Sequence, residues 1–236
     1  MKTSLITTLS FLILTLATQP LLGISSNSEP VLDIIGNKVK STLEYKLIPV
    51  LDGAGGFSTH LGTNGQCPLD VIQLSSPSER GDNLRLLPYD NYKIVKVSTD
   101  VNLRFPVKVS VKPCNEEPLW KVDSYDDPLI VTGGIEGHPG AETLLNWFKI
   151  EKAGNFSYGG VYNIVHCPSV CLSCPRRCNK IGVSSKDGVR RLALVGDDEP
   201  ALNVLFFPSE ERSRLLQAAN AISRFFEAAE AISMTA

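Results

Sequence analysis

Residues 31–47 read Val31-Leu32-Asp33-Ile34-Ile35-Gly36-Asn37-Lys38-Val39, then Lys40-Ser41-Thr42-Leu43-Glu44, then Tyr45-Lys46-Leu47. The last three residues open Tyr45–Leu51, the first of a series of short β-rich runs. The series continues with Val71–Leu74, Leu84–Leu87, Ile94–Ser98, Leu103–Val111, Trp120–Asp123 and Leu129–Thr132. It ends with Trp147–Glu151, Val161–His166, Ile181–Ser184, Arg191–Val195 and Leu202–Phe207. Turn formers separate the runs, as in Asp52-Gly53, Arg80-Gly81-Asp82, Gly133-Gly134 and Asp187-Gly188. About twelve short strands spaced by regular turn signals describe an all-β sandwich or barrel. No linker divides the run, so residues 28–208 are expected to form one domain.

The two ends differ from this body. Lys2 precedes the uncharged apolar run Leu5–Ala17, and small residues follow at Gly23, Ser25 and Ser26. This is the pattern of a secretory signal peptide over residues 1–24. The run is too short for a comfortable membrane span, and Gln19-Pro20 ends it. The mature chain is therefore expected outside the cytosol, secreted or vacuolar, and without a membrane segment. At the other end, Leu215, Ala218, Ala219, Ile222, Phe225, Phe226, Ala229 and Ile232 recur at steps of three and four. Residues 209–236 are expected to form an amphipathic helix capped by Ser209, with Glu210 and Glu211 in its first turn.

Lys and Arg total 23 against 25 Asp and Glu, a net charge of −2, so no basic excess is available to bind nucleic acid. A 43% hydrophobic share with 20% charged residues marks a folded chain rather than a disordered one.

The six cysteines fall into two groups: Cys67 and Cys114 stand apart, and Cys167, Cys171, Cys174 and Cys178 form a cluster. In a secreted chain they read as disulfides. Cys67–Cys114 would close a long loop, and such a loop constrains the unfolded chain by about 4 kcal/mol. The near-palindromic cluster favours nesting, Cys167–Cys178 outside Cys171–Cys174. A four-thiolate metal or iron–sulfur centre is the alternative.

The motifs of catalysis are missing. There is no H-E-x-x-H, no G-x-S-x-G and no phosphate-binding loop. His60 lies in a strand-like stretch and reads as a partly buried structural residue; His138 lies in the glycine-rich turn Gly133–Gly140. His166 adjoins Cys167, whose pairing would forbid a Cys–His dyad. Neither an enzyme nor a cofactor is expected. The single N-glycosylation sequon is Asn155-Phe156-Ser157, placed by Gly154 in a surface turn.

The opening stretch 31–47 resembles the N-terminal signature of the plant Kunitz (soybean trypsin inhibitor type) family. Further matching stretches are Gln66-Cys67-Pro68-Leu69, Val97–Asn102, Trp147–Glu151, His166-Cys167-Pro168 and Arg190–Leu194. The cysteine cluster is similar to that of the miraculin-like branch. The resemblance implies a β-trefoil, a six-stranded barrel capped by three hairpins. It also implies the pairs Cys67–Cys114, Cys167–Cys178 and Cys171–Cys174, and serine-type or other endopeptidases as partners. It implies a substrate-like loop over Pro88, Tyr89, Asp90, Asn91, Tyr92 and Lys93. Asn91 would be the P1 residue, the side chain that fills the protease's primary pocket. The family braces this loop with an asparagine where this chain has Ser41. Trypsin's pocket needs Arg or Lys, so an Asn at P1 beside Asp90 and a shorter brace imply weak trypsin inhibition, or a non-inhibitory storage or defence role. Arg176-Arg177, inside the cystine cluster, is a possible second basic site. The Q-x-W repeats of sugar-binding trefoils are absent.

Overall fold

The computed structural model describes residues 28–209 except 51–52, 63–64, 107–113 and 157–158. The expected leader, and the expected helix beyond Ser209, lie outside the described residues. Ser209 itself donates from its backbone N–H to Glu44 O and from its hydroxyl to Asn83 Oδ1.

Twelve strands form among the described residues. They are β1 Tyr45–Pro49, β2 Phe57–Leu61, β3 Leu69–Gln73, β4 Arg85–Pro88, β5 Asp100–Arg104 and β6 Lys121–Val122. The others are β7 Ile130–Val131, β8 Phe148–Phe156, β9 Gly159–His166, β10 Asn179–Lys186, β11 Val189–Val195 and β12 Asn203–Pro208. A 3-10 turn, Leu144–Asn146, precedes β8.

The pairings decide between sandwich and barrel. β1 pairs with β12, β12 with β9, β9 with β8, β8 with β5, and β5 with β4. Tyr45 and Leu84 then exchange two backbone hydrogen bonds of 2.9 and 2.7 Å, which return the sheet from the start of β4 to β1. Six strands thus close a barrel, and closure removes the edges an open sheet would expose. The remaining strands form three hairpins, β2–β3, β6–β7 and β10–β11. β3 joins them by pairing with both β7 and β11. Along the chain, a barrel strand, a hairpin and a second barrel strand recur three times, which is the trefoil order.

Period-two alternation fills the barrel. Tyr45, Leu47, Leu86, Val101, Leu103, Phe148, Ile150, Tyr162, Ile164, Val204 and Phe206 are all buried in one core. β5 is buried on its other face too, where Asp100 and Asn102 lie beneath the connecting loops. A buried ion pair, Arg191 Nε to Asp70 Oδ2 at 2.6 Å, ties the β10–β11 hairpin to β2–β3.

One strand expectation needs correction. Ile94–Ser98 forms no strand, because its hydrogen bonds go to several segments: Val31 N–H to Val95 O, Val95 N–H to Val39 O, and Ser98 N–H to Ile150 O. The strand-like stretch around His60 is β2: Ser58, Thr59 and His60 interrupt its apolar pattern, and pairing with β3 makes it a strand. Asn155 lies on β8 paired with Gly160, not in a turn, although it is exposed. Gly154 marks a register irregularity within β8 rather than the strand's end.

The signature stretch is held by its own aspartate. Asp33, 2% exposed, accepts the N–H groups of Ile35 (3.0 Å) and Asn37 (2.9 Å) on Oδ1, while Gly36 takes the left-handed conformation at φ 84°. Gly159 passes so close that a Cβ there would lie 2.2 Å from the Asp33 carbonyl oxygen. Asp33→Ala is expected to cost about 2–4 kcal/mol by leaving those two donors without an acceptor. The midpoint of urea unfolding, at unchanged slope, checks it.

Candidate functional site

The stretch Pro88–Lys93 leaves the end of β4 and bends out of the barrel. Asn91 N–H donates to Pro88 O at 3.1 Å, closing a four-residue turn, and Tyr92 N–H donates to Asp90 Oδ1 at 3.2 Å. Asn91 sits at φ 57°, in the left-handed region that asparagine tolerates better than most residues. From behind, Ser41 donates its hydroxyl to Tyr92 O at 3.2 Å and its N–H to Lys93 O at 2.9 Å. On the β5 side, Tyr89 N–H donates to Asp100 O. Tyr89 is 48% exposed and Tyr92 60%, with Lys96 Nζ 5.2 Å from the Tyr92 ring centre.

This loop shares a cleft of about 200 Å³ with a second loop. Ser41, Pro88, Tyr89 and Asn91 line one wall; Glu136, Gly137, His138 and Pro139 line the other. The second loop is held by buried polar side chains that the sequence reading did not single out. Asn146 Nδ2 donates to Ile135 O at 3.1 Å, Asn102 Oδ1 accepts Gly137 N–H at 2.8 Å, and Thr143 Oγ1 donates to His138 O at 2.6 Å. Asn102 Nδ2 donates in turn to Asn146 O, and Trp147 Nε1 to Thr143 Oγ1. The signal available beforehand was Asn102, a polar residue inside the apolar run Val101–Leu103.

All six cysteines are paired: Cys67–Cys114, Cys167–Cys178 and Cys171–Cys174, with Cα separations of 5.5, 4.1 and 5.4 Å. No thiolate remains for a metal or iron–sulfur centre, so that alternative falls. The cluster is seated on both sides. Ser169 donates its N–H (3.1 Å) and its hydroxyl to the Asp100 carboxylate, and Lys149 Nζ lies 4.0 Å from Asp100. Both arginines of the cluster are exposed, and the Arg177 guanidinium lies over the Tyr125 ring, 4.3 Å from its centre.

The three histidines separate by environment. His60 is exposed on β2, which corrects the partly buried role expected of it; its Nδ1 lies 2.7 Å from Leu61 O. His138 is exposed at φ 52°. His166 is fully buried, with Nδ1 3.0 Å from Trp147 O and Nε2 3.0 Å from the Tyr125 hydroxyl. The carbonyl requires a proton on Nδ1, so Nε2 accepts from Tyr125. Burial pushes the His166 pKa down to about 4, against the opposing pull of the Trp147 carbonyl and Asp100. Cys167, the sulfur beside His166, is tied to Cys178 and cannot serve as its nucleophile.

The sequence pattern of the Kunitz legume family, described as trypsin and protease inhibitor, matches residues 31–207. The chain belongs to this Kunitz family. Kunitz relatives include miraculin of Synsepalum dulcificum, 37% identical over 80% of this chain and 88% of its own length. The 21 kDa seed protein of Theobroma cacao is 38% identical over 71% of this chain and 77% of its own. Kunitz trypsin inhibitor 5 of Arabidopsis thaliana is 37% identical over 75% and 85%. Among solved Kunitz structures, the potato cysteine protease inhibitor matches with TM-score 0.62 at 30% identity, over 78% of this chain and 98% of that one. Soybean trypsin inhibitor, in its complex with porcine pancreatic trypsin, matches with TM-score 0.62 at 23% identity, over 77% and 100%. The likeness to the soybean protein is one of fold. The family's description names trypsin and protease inhibitors and no enzyme. No helix among the described residues is long and apolar enough to cross a membrane.

The buried histidine sets a pH dependence for this Kunitz domain. A folded-state pKa below the unfolded value means that the unfolded chain binds the proton first. Stability is therefore full above about pH 6.5 and falls as the pH drops toward 4, by about 3 kcal/mol in all. His166→Gln is expected to lose this component. Urea-unfolding free energies measured at pH 7.5, 5.5 and 4 should converge between wild type and variant as the pH falls.

Proposed function

We propose that the protein is an endopeptidase inhibitor that acts through the exposed loop Pro88–Lys93, with Asn91 as P1 and weak action on trypsin. The observation that carries this reading is the hold that Ser41 has on the carbonyls of Tyr92 and Lys93. A loop already fixed before it meets an enzyme loses little freedom on binding. The register with Asn91 at P1 agrees with this, since the carbonyl that follows it is turned inward toward Ser41. Weakness against trypsin follows from chemistry: a neutral amide meets no need of a buried carboxylate, and Asp90 adds repulsion. The leader over 1–24 would send the chain into the secretory pathway, toward the vacuole or the cell exterior. There the three disulfides persist and Asn155 is available for glycosylation.

A second reading, a non-inhibitory storage or defence protein, draws on two observations. Asn91 bends the loop in a left-handed conformation instead of extending it, and Ser41 offers one side-chain bond to it. The seed protein among the relatives is in keeping with it.

An inhibition panel of trypsin, chymotrypsin, elastase, subtilisin and papain separates the two. The inhibitor reading expects at least one enzyme to be blocked in a one-to-one complex and no nanomolar inhibition of trypsin. Asn91→Arg is expected to strengthen trypsin inhibition about tenfold or more, even after the cost of about 1–2 kcal/mol for a non-Asn residue in the left-handed region. Silence across the whole panel, with Asn91→Arg equally silent, would leave the second reading standing.

A further inference from the structure

We propose that residues 134–140 form a second contact loop for the same endopeptidase, with Ile135 as its apolar anchor. The proposal rests on the inhibitor reading above and adds a second part to its contact surface.

This loop is the better braced of the two that line the cleft. Three side chains hold its backbone at Ile135 O, Gly137 N–H and His138 O. Those side chains are themselves buried: Asn146 is 5% exposed, Asn102 1% and Thr143 4%. Its base is seated by Gly133 N–H on Glu117 O and Gly134 N–H on Leu119 O. A Cβ on Gly134 would meet a Leu119 methyl at 2.6 Å, so the chain lies directly on the core. Glu136 is drawn to Arg104 at 2.8 Å. By comparison, the Pro88–Lys93 loop takes one side-chain bond from behind, that of Ser41.

On this fixed frame stands a large apolar side chain in water. Ile135 is 59% exposed, between Gly134 and Glu136. The loop neighbours of Ile135, Glu136–Pro139, face Tyr89 across the shared cleft, and Tyr89 and its loop-mate Tyr92 are also exposed. Of the five large apolar side chains that are exposed among the described residues, three belong to these two loops. An apolar residue held rigidly in water loses almost no freedom when a partner covers it, which is the property of an interface anchor.

The same geometry says what the loop does not do. A scissile bond must offer its carbonyl oxygen to the enzyme's oxyanion donors. The Ile135 carbonyl points inward and is occupied by Asn146. Ile135 is therefore a contact residue beside the primary pocket, not a second P1, and the bond that follows it should resist cleavage.

The test takes the enzyme most strongly inhibited in the panel and measures inhibition and dissociation rates with surface variants of the full-length protein. Ile135→Asp is expected to weaken inhibition about tenfold or more, mainly by faster dissociation, and Ile135→Ala by less. Lys180→Asp, on the exposed side of β10, is expected to leave the constant unchanged. If Tyr92→Asp abolishes inhibition while Ile135→Asp leaves it intact, the second loop is refuted and the inhibitor reading survives. If the wild-type protein inhibits nothing, the inhibitor reading fails and takes this proposal with it. Rigidity has its own readout. Amide exchange at Gly137 should be markedly slower than in an unstructured chain, and exchange at the unprotected rate would overturn the proposal whatever the kinetics.

Discussion

The two hydrogen bonds exchanged by Tyr45 and Leu84 close six strands into a barrel, and the surface loops inherit their positions from that closure. Once closed, the barrel holds the Tyr45 and Tyr162 rings against Phe206, with ring centres 6.3 and 5.6 Å away. Both tyrosines are buried with their hydroxyls accepting backbone N–H groups of the signature stretch: Tyr162 from Leu32, Tyr45 from Lys40. A buried Tyr hydroxyl needs such a partner, so the core positions the stretch that follows Leu32. Ser41, one residue beyond Lys40, then holds the Tyr92 and Lys93 carbonyls. Order passes from the core to an exposed loop through a short sequence of hydrogen bonds.

β5 does comparable work on the other side. Its apolar residues Val101 and Leu103 face the core, and its polar residues Asp100 and Asn102 serve three surface features. The Asp100 carbonyl takes Tyr89 N–H at the first loop. The Asp100 carboxylate takes Ser169 at the base of the cystine cluster. Asn102 takes Gly137 N–H at the second loop. A buried polar group is costly unless bonded, and these are bonded to loop backbone. A single strand thereby coordinates both walls of the cleft and the base of the neighbouring cystine rings.

The two loops of the cleft differ in how they are held. Pro88–Lys93 is the loop proposed for the substrate-like role, yet its centre is a left-handed asparagine with a serine brace. Residues 134–140 carry no such role by resemblance, yet three buried side chains fix them. In a family whose relatives are named for trypsin and cysteine protease inhibition, Asn91 in the proposed primary position and a firmly held neighbouring loop would, on that proposal, together redirect the choice of enzyme.

The strands were legible along the chain because period-two alternation and turn residues are local signals. Every apolar run noted beforehand except Ile94–Ser98 overlaps an observed strand. The cysteine spacing was legible too, since loop length and nesting limit the pairings. The stretch 31–47 carried the family, because Asp33, Gly36 and Tyr45 each meet a specific backbone demand. Ring closure was implied by the family resemblance but not legible in the residue pattern, since it depends on Leu84 meeting Tyr45 across 38 intervening positions of the chain. Nor was the brace on 134–140. Asn102, Thr143 and Asn146 look like ordinary polar residues until folding buries them, and their partners are backbone groups, which carry no sequence identity. By itself, the amino-acid order determined the strands, the turns and the covalent framework, all products of short-range patterning. The barrel closure, the cleft and the unequal bracing of its two walls were decided only in three dimensions, because hydrogen bonds between distant segments are specified by geometry and burial.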